Sequence, residues 1–199
     1  MNDLIFASTS PRRKELLLQI SRRFKFRSPD FQEKKINDMS SLEISKFNSE
    51  NKAMSISKIL RNDFIFGADT VISINNETIE KPINDDDAIK ILLKLRNSFH
   101  KVITNISVVK NEKLIFSEKK ISLVKTTNIS ADKIKEYVDT GYYKDKAGGY
   151  GIQNKKFDFI KCFYGCYENI LGLPTCLIKS FLMEHGFIDK ITFSKCLKV

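Results

Sequence analysis

An α/β domain built on a mixed sheet is the fold that this chain of 199 residues predicts. Strand-like and helical segments alternate along it, and some neighbouring strands are joined through helices while others meet through tight turns. No internal repeat, low-complexity tract or Gly/Pro-rich linker divides the sequence, so residues 1–199 are expected to form a single domain.

The first strand is Leu4–Ala7, and it leads into Ser10, a good N-cap, and Pro11, the favoured first helical residue. Leu16, Leu17 and Ile20 follow as an apolar stripe at helical spacing. Phe24–Arg27 reads as a short strand, with a polar loop through Asp30 and Glu33 after it. A second helix is predicted over 41–61, with Phe47, Met54, Ile56, Ile59 and Leu60 as packing positions. Residues 64–66 read as a strand running into Gly67, and 71–74 as its continuation to a turn at Asn75 and Asn76. Asn84 caps the next helix, whose first turn holds Asp85, Asp86 and Asp87; the helix dipole accounts for these acids better than metal binding does. Residues 100–109 and 114–127 suggest a long hairpin around 110–113. Ser130 opens a helix closed by Gly141, a glycine-rich loop follows at 148–151, and 157–167 is the last strand. Pro174 starts a final amphipathic helix that ends near Gly186.

Composition narrows the function classes. Apolar content is ample for a buried core, and no run of about 18 apolar residues offers a membrane span. The apolar residues after Met1 stop at Ala7, too soon for a signal-peptide core, so a cytoplasmic protein without a membrane partner is expected. Cys162, Cys166, Cys176 and Cys196 lack CxxC spacing and have neither His100 nor His185 beside them, which reads as reduced thiols rather than a zinc site. The formal charge of +10 admits nucleic-acid binding through phosphates. The lysines, however, are spread among Asp, Glu and Asn with no recognised nucleic-acid motif, so specific nucleic-acid binding is not expected.

Arg12 and Arg13 fall in the first turn of the first helix, where partial positive charge and unpaired N–H groups disfavour two added cations unless an anion joins them. Phosphate is the obvious candidate, with solvation or pairing to carboxylates as the alternative. Asp69 follows a strand and a Gly-Ala pair, where a carboxylate can face a cleft at a sheet edge and orient water or ligate Mg²⁺. An aspartate after glycine equally caps turns. Glu33, Lys52 and Lys81 carry no signal of their own, since most acids and lysines lie in solvent. The segment 147–153, AGGYGIQ, permits close backbone approach to a ligand or is simply a flexible turn; it matches neither the Walker A nor the GxGxxG pattern. Gln153 offers a donor and an acceptor suited to a pyrimidine edge, and Thr70 adds a hydroxyl.

The run LIFASTSPRRKELLLQI at 4–20, Glu33 in PDFQEKK, Lys52 in NKA, GADT at 67–70, EKP at 80–82, DKAGGYGIQ at 145–153 and NILGLP at 169–174 resemble, in order and spacing, the Maf family. These are nucleoside triphosphate pyrophosphatases first described as septum formation inhibitors. The resemblance implies an elongated mixed β-sheet flanked by helices, with two lobes and a central cleft. It implies hydrolysis of a nucleoside triphosphate to the monophosphate and pyrophosphate, with Asp69 as proton acceptor. Glu33 and Asp69 are implied as ligands of a divalent metal, Mg²⁺, Mn²⁺ or Co²⁺. Ser8, Arg12, Arg13, Lys52 and Lys81 are implied as contacts of the triphosphate, Lys81 being held extended by Pro82. Arg12, Thr70 and Gln153 together resemble the branch acting on dTTP and UTP rather than the sister branch acting on 7-methyl-GTP. The chain departs from the family pattern at Tyr142, where acidic residues are frequent, and at Cys166, where Ser is usual. A homodimer and a link to division arrest are further implications. Two alternatives stay open: a pyrophosphatase for 7-methyl-GTP or other modified nucleotides, and a non-catalytic, nucleic-acid-binding regulator of division.

Overall fold

The computed structural model describes residues 2–33, 38–154 and 156–189; Lys34 and Lys35, which follow Glu33, and Cys196 lie outside them. Strand β1 (Leu4–Ala7) is buried along its length because successive side chains face opposite layers. Leu4 and Phe6 pack with Leu17, Phe181 and Leu182, while Ile5 and Ala7 pack with Ala53 and Ile56. Each fully buried Leu, Ile or Phe of this kind contributes about 1.5–3 kcal/mol. The strand pairs in parallel with β2 (Phe24–Arg27) on one side and β3 (Phe64–Ile74) on the other. Helices α1 (Pro11–Ile20) and α2 (Ser41–Ser57) make the two crossovers, one on each face of the sheet.

Past β3 the sheet turns antiparallel. Strand β4 (Glu77–Ile79) returns beside β3 through Asn75 and Asn76, both with positive φ, as a two-residue hairpin requires. Helix α3 (Asp85–Leu95) leads to the long hairpin of β5 (Phe99–Lys110) and β6 (Lys113–Thr126). Helix α4 (Ala131–Asp139), a 3-10 turn at Ala147–Gly149 and β7 (Ile160–Tyr164) follow, then α5 (Tyr167–Ile170) and α6 (Thr175–Glu184). The seven strands among the described residues lie in the order β2-β1-β3-β5-β6-β7, with β4 on β3.

Several expectations change. The helix over 41–61 stops at Ser57, and Ile59 is 79% exposed. Its buried face is formed by Ser45, Asn48, Ser49, Lys52, Ala53 and Ile56, with Phe47 and Met54 only half-buried. Gly67 is the reason: a Cβ there would stand 2.0 Å from the Ser49 carbonyl oxygen, so only glycine lets the α2 backbone lie against β3, where small and polar side chains fit the seam. The segments 64–66 and 71–74 form one strand, because pairing with β5 runs in continuous register from Ile65↔Val109 to Ser73↔Lys101. Asp69 therefore lies within a central strand, not after one. The expected strand over 157–167 shortens to Ile160–Tyr164, and Tyr167 opens α5. Ser10 holds the N-cap position of α1 without a side-chain bond; its backbone N–H instead donates to Ser8 Oγ at 3.2 Å.

The cleft follows from mismatched strand lengths. On one edge of β3, β1 pairs only with 64–66 and β4 only with 72–74. Between them, residues 67–71 have no strand partner on that edge among the described residues. One core gathers Phe6, Phe66, Ile178 and Phe181, and another gathers Ile72, Leu92, Ile134 and Tyr137. These are the two lobes.

Candidate active site

The gap in β3 opens into a cleft of about 900 Å³, walled by the end of β1, the first turn of α1, residues around 142–153 and Gly172. Ser8, Arg12, Arg13, Glu33, Lys52, Asp69, Thr70, Lys81 and Gln153 all line it, so every candidate residue read from the sequence meets in one place.

Strand alternation decides which helix meets which residue. Ile65, Gly67 and Asp69 face α2, while Phe66, Ala68 and Thr70 face the α1 layer. With α2 drawn in by Gly67, the buried Lys52 donates from Nζ to Asp69 Oδ1 at 2.6 Å and to Glu33 Oε1 at 2.5 Å. Asn48, one turn earlier, donates from Nδ2 to Asp69 Oδ2 at 3.3 Å. Lys81 Nζ donates to the two Glu33 oxygens at 3.2 and 3.0 Å. Acid and base thus alternate through Asp69, Lys52, Glu33 and Lys81. Burial by itself raises the Glu33 carboxyl, but the ammonium groups of Lys52 and Lys81 outweigh it and hold the group down at about 2.

Arg13 is a brace. Its Nε donates to Gly172 O at 2.9 Å, Nη1 to Ala68 O at 2.9 Å and Nη2 to Thr70 Oγ1 at 3.0 Å. The Ala68 carbonyl lies in the stretch of β3 that has no strand partner on the β1 side among the described residues, and the guanidinium supplies a donor there. Roughly two of its five N–H groups are left for a ligand. The Thr70 hydroxyl is engaged in the same way, with Thr104 Oγ1 at 3.0 Å and Gly172 O at 3.2 Å. Burial pushes the Arg13 guanidinium below its ordinary value, opposed by Asp69 and Glu33 and reinforced by Arg12.

The opposite wall is the segment around 142–153. Arg12 Nη2 reaches across to the Asp145 carbonyl at 3.4 Å. Gly148 has φ +69°, and a Cβ there would come 2.5 Å from Ile72 Cδ1, so the turn needs glycine for conformation and for space. Tyr150 hydrogen-bonds to His100 Nε2 of β5 at 2.5 Å, tying the segment to the sheet. Burial lowers His100 to about 4 and raises the Tyr150 hydroxyl, so both stay neutral near pH 7. Gln153 is exposed on this wall.

Asn48 and Lys146 were missed by sequence reasoning. A polar residue four positions before Lys52 in a predicted helix was the signal for Asn48. Lys146 sits in the DKAGGYGIQ run, where no local signal separates it from the other lysines. Its Nζ lies 3.8 Å from the Tyr142 ring centroid and donates to the Tyr142 carbonyl. Burial, then Arg12, push this lysine down to about 8, against the pull of Asp145. Tyr142, a departure from the family pattern, is thus the seat of a cation. Cys166, the other departure, is buried beside Ser122, whose hydroxyl bonds its backbone N–H and C=O, and it does not line the cleft.

Glu33 and Asp69 converge on one ammonium, so each offers a hard oxygen to a common cation. A divalent ion bound through one or two carboxylates together with substrate phosphates fits such a pair. No group of three or more His, Cys, Asp or Glu that could hold a metal ion occurs among the described residues.

A mixed sheet interrupted by a cation-lined cleft with two internal carboxylates defines an α/β protein suited to a phosphorylated ligand. The family follows from the whole chain: the model described as Maf-like protein matches residues 3–185, and the chain belongs to that family. It is similar to the dTTP/UTP pyrophosphatase of Dictyoglomus turgidum (strain DSM 6724 / Z-1310), 38% identical over 187 residues that cover 93% of this chain and 97% of the relative. It is also similar to the dTTP/UTP pyrophosphatase of Clostridium botulinum (strain Kyoto / Type A2), 36% identical over 192 residues, 94% of this chain and 98% of the relative. Among solved structures it shares its fold with the Staphylococcus aureus Ham1 protein, with TM-score 0.56 and 16% identity over 92% of this chain and 100% of that one. A HAM1 protein from Coxiella burnetii gives TM-score 0.51 and 14% identity over the same shares. No helix among the described residues is long and apolar enough to cross a membrane.

Proposed function

We propose that the protein is a metal-dependent nucleoside triphosphate pyrophosphatase of the cytoplasm that hydrolyses dTTP and UTP to the monophosphate and pyrophosphate. The observation that carries this reading is the gathering of Asp69 and Glu33 with Arg12, Arg13, Lys52 and Lys81 around one gap in β3. Relatives at 35–38% identity over nearly the whole chain, named dTTP/UTP pyrophosphatases, supply the substrate class.

In this mechanism a water beside Asp69 gives its proton to the carboxylate as its oxygen attacks the α-phosphorus. The bond from that phosphorus to the bridging oxygen breaks, and its electron pair leaves with pyrophosphate. Lys52 holds Asp69 by one oxygen, while Arg12, Lys81 and the uncommitted N–H groups of Arg13 meet the charge growing on the leaving group. Glu33 and Asp69 would hold a divalent metal, which would supply charge neutralisation at the phosphate oxygens. Gln153 offers its amide to the pyrimidine edge, and Thr70 acts by holding Arg13 and Gly172 in place. The homodimer is carried as part of the same proposal and is read from the mass in solution.

The test is a panel of dTTP, UTP, CTP, GTP and 7-methyl-GTP, with and without divalent metal, with the phosphate products identified. Monophosphate and pyrophosphate from dTTP and UTP, only with metal, are expected. Asp69→Asn is expected to lower kcat by about 10²- to 10⁴-fold with KM nearly unchanged. Wild-type turnover in that variant overturns Asp69 as base. Preference for 7-methyl-GTP moves the protein to the sister activity, and salt-sensitive DNA or RNA binding without pyrophosphate release replaces the enzyme reading altogether.

A further inference from the structure

Asn48 is an odd occupant of its position. It lies in the interior of α2, where asparagine is a poor helix former, and only 4% of it is exposed. Its side chain makes one hydrogen bond among the described residues, from Nδ2 to Asp69 Oδ2 at 3.3 Å. The other half of the amide, Oδ1, is buried with no hydrogen-bond partner. A buried acceptor left unpaired costs stability, so an apolar side chain of similar volume would suit the packing better. What asparagine adds there is a donor to Asp69.

The orientation of the amide is set by which atom meets Asp69. Lys52 Nζ donates to Asp69 Oδ1 at 2.6 Å, which leaves Oδ2 as the acceptor that faces Asn48. The atom of Asn48 that faces Oδ2 is the nitrogen, a donor toward an acceptor, and Oδ1 is turned away. Asn48 and Lys52 stand at i and i+4 on one helix face and take the two oxygens of one carboxylate separately. Two contacts from one rigid element fix the carboxylate plane, where Lys52 alone would leave it free to turn about χ2. The length of 3.3 Å is generous for an amide to a carboxylate, and contacts of this kind tighten when the carboxylate engages its reactant.

We infer that Asn48 is a positioning residue for Asp69, holding the carboxylate so that a free lone pair of Oδ2 meets the attacking water. The inference rests on the reading of Asp69 as base. The test uses the full chain and pyrophosphate release from dTTP for Asn48→Leu, Asn48→Ala, Asp69→Asn and the Asn48→Leu/Asp69→Asn double variant, with thermal midpoints alongside. Asn48→Leu is expected to lower kcat about 10- to 100-fold, with KM within about threefold and a midpoint equal to or above wild type. Asn48→Ala, which leaves room for water, is expected to lose less in kcat. In the Asp69→Asn background, Asn48→Leu is expected to add no further loss, since the carboxylate it orients is gone. Wild-type kcat in a folded Asn48→Leu or Asn48→Ala, or an additive loss in the double variant, overturns the inference. Inactive Asp69→Asn beside fully active Asn48→Leu removes the inference alone, whereas active Asp69→Asn removes both it and the mechanism beneath it.

Discussion

Lys52 is buried with an acid on each side of it, Asp69 and Glu33. Removing either acid leaves a buried ammonium with half its compensation, which is why breaking such a group costs far more than the intact group contributes. Glu33 gives this a pH signature. Its carboxyl titrates near 2 in the folded chain against an ordinary 4.5, so its contribution to stability is fully present above 4.5 and is lost as pH falls toward 2. Glu33→Gln is expected to lower the urea midpoint at pH 7 and to flatten its decline across the acid range. An acid limb identical to wild type would show that Glu33 is not what titrates. None of this was legible at the residue level: Glu33, Lys52 and Lys81 look like ordinary surface charges until the fold brings 33, 52, 69 and 81 together, and only the family resemblance singled them out.

At the scale of elements, the contact of α2 with β3 decides the geometry of the site, and Gly67 decides that contact. Gly67→Ala places a methyl 2.0 Å from the Ser49 carbonyl oxygen, and the helix must lift. A loss of about 1–3 kcal/mol in unfolding free energy is expected, together with a fall in turnover as Lys52 and Asn48 move off Asp69. Urea denaturation and kcat on the same sample check it, and a variant that loses stability while keeping full turnover would separate the helix from the chemistry. Elements whose signals are local were legible in the sequence. Asn84 and Ser130 do accept hydrogen bonds from Asp87 and Lys133 at their helix starts, and Asn75 and Asn76 do turn the β3–β4 hairpin. The unbroken β3 was not legible, because glycine reads locally as an interruption while the pairing that overrides it comes from β5, far along the chain. The buried polar face of α2 was hidden for the same reason.

For the molecule as a whole, alternating strands and helices with both hairpins and crossovers were enough to give an α/β class and a mixed sheet. The lobes and the cleft were not, since they arise from a difference in length between β1 and β3 that no periodicity displays. The net charge of +10 also has a more local meaning than its size implies, because the cleft draws on only a few of the basic residues. The missing strand beside residues 67–71 has a consequence for exchange with solvent. In a central strand, backbone amides are ordinarily the slowest in a domain to take up deuterium. Here the amides of 67–71 that point away from β5 have no ladder acceptor among the described residues, so faster and slower exchange are expected to alternate through the middle of β3 while its two ends stay protected. Nucleotide seated in the cleft will slow those fast amides first, marking its arrival in the deuterium uptake of a single strand.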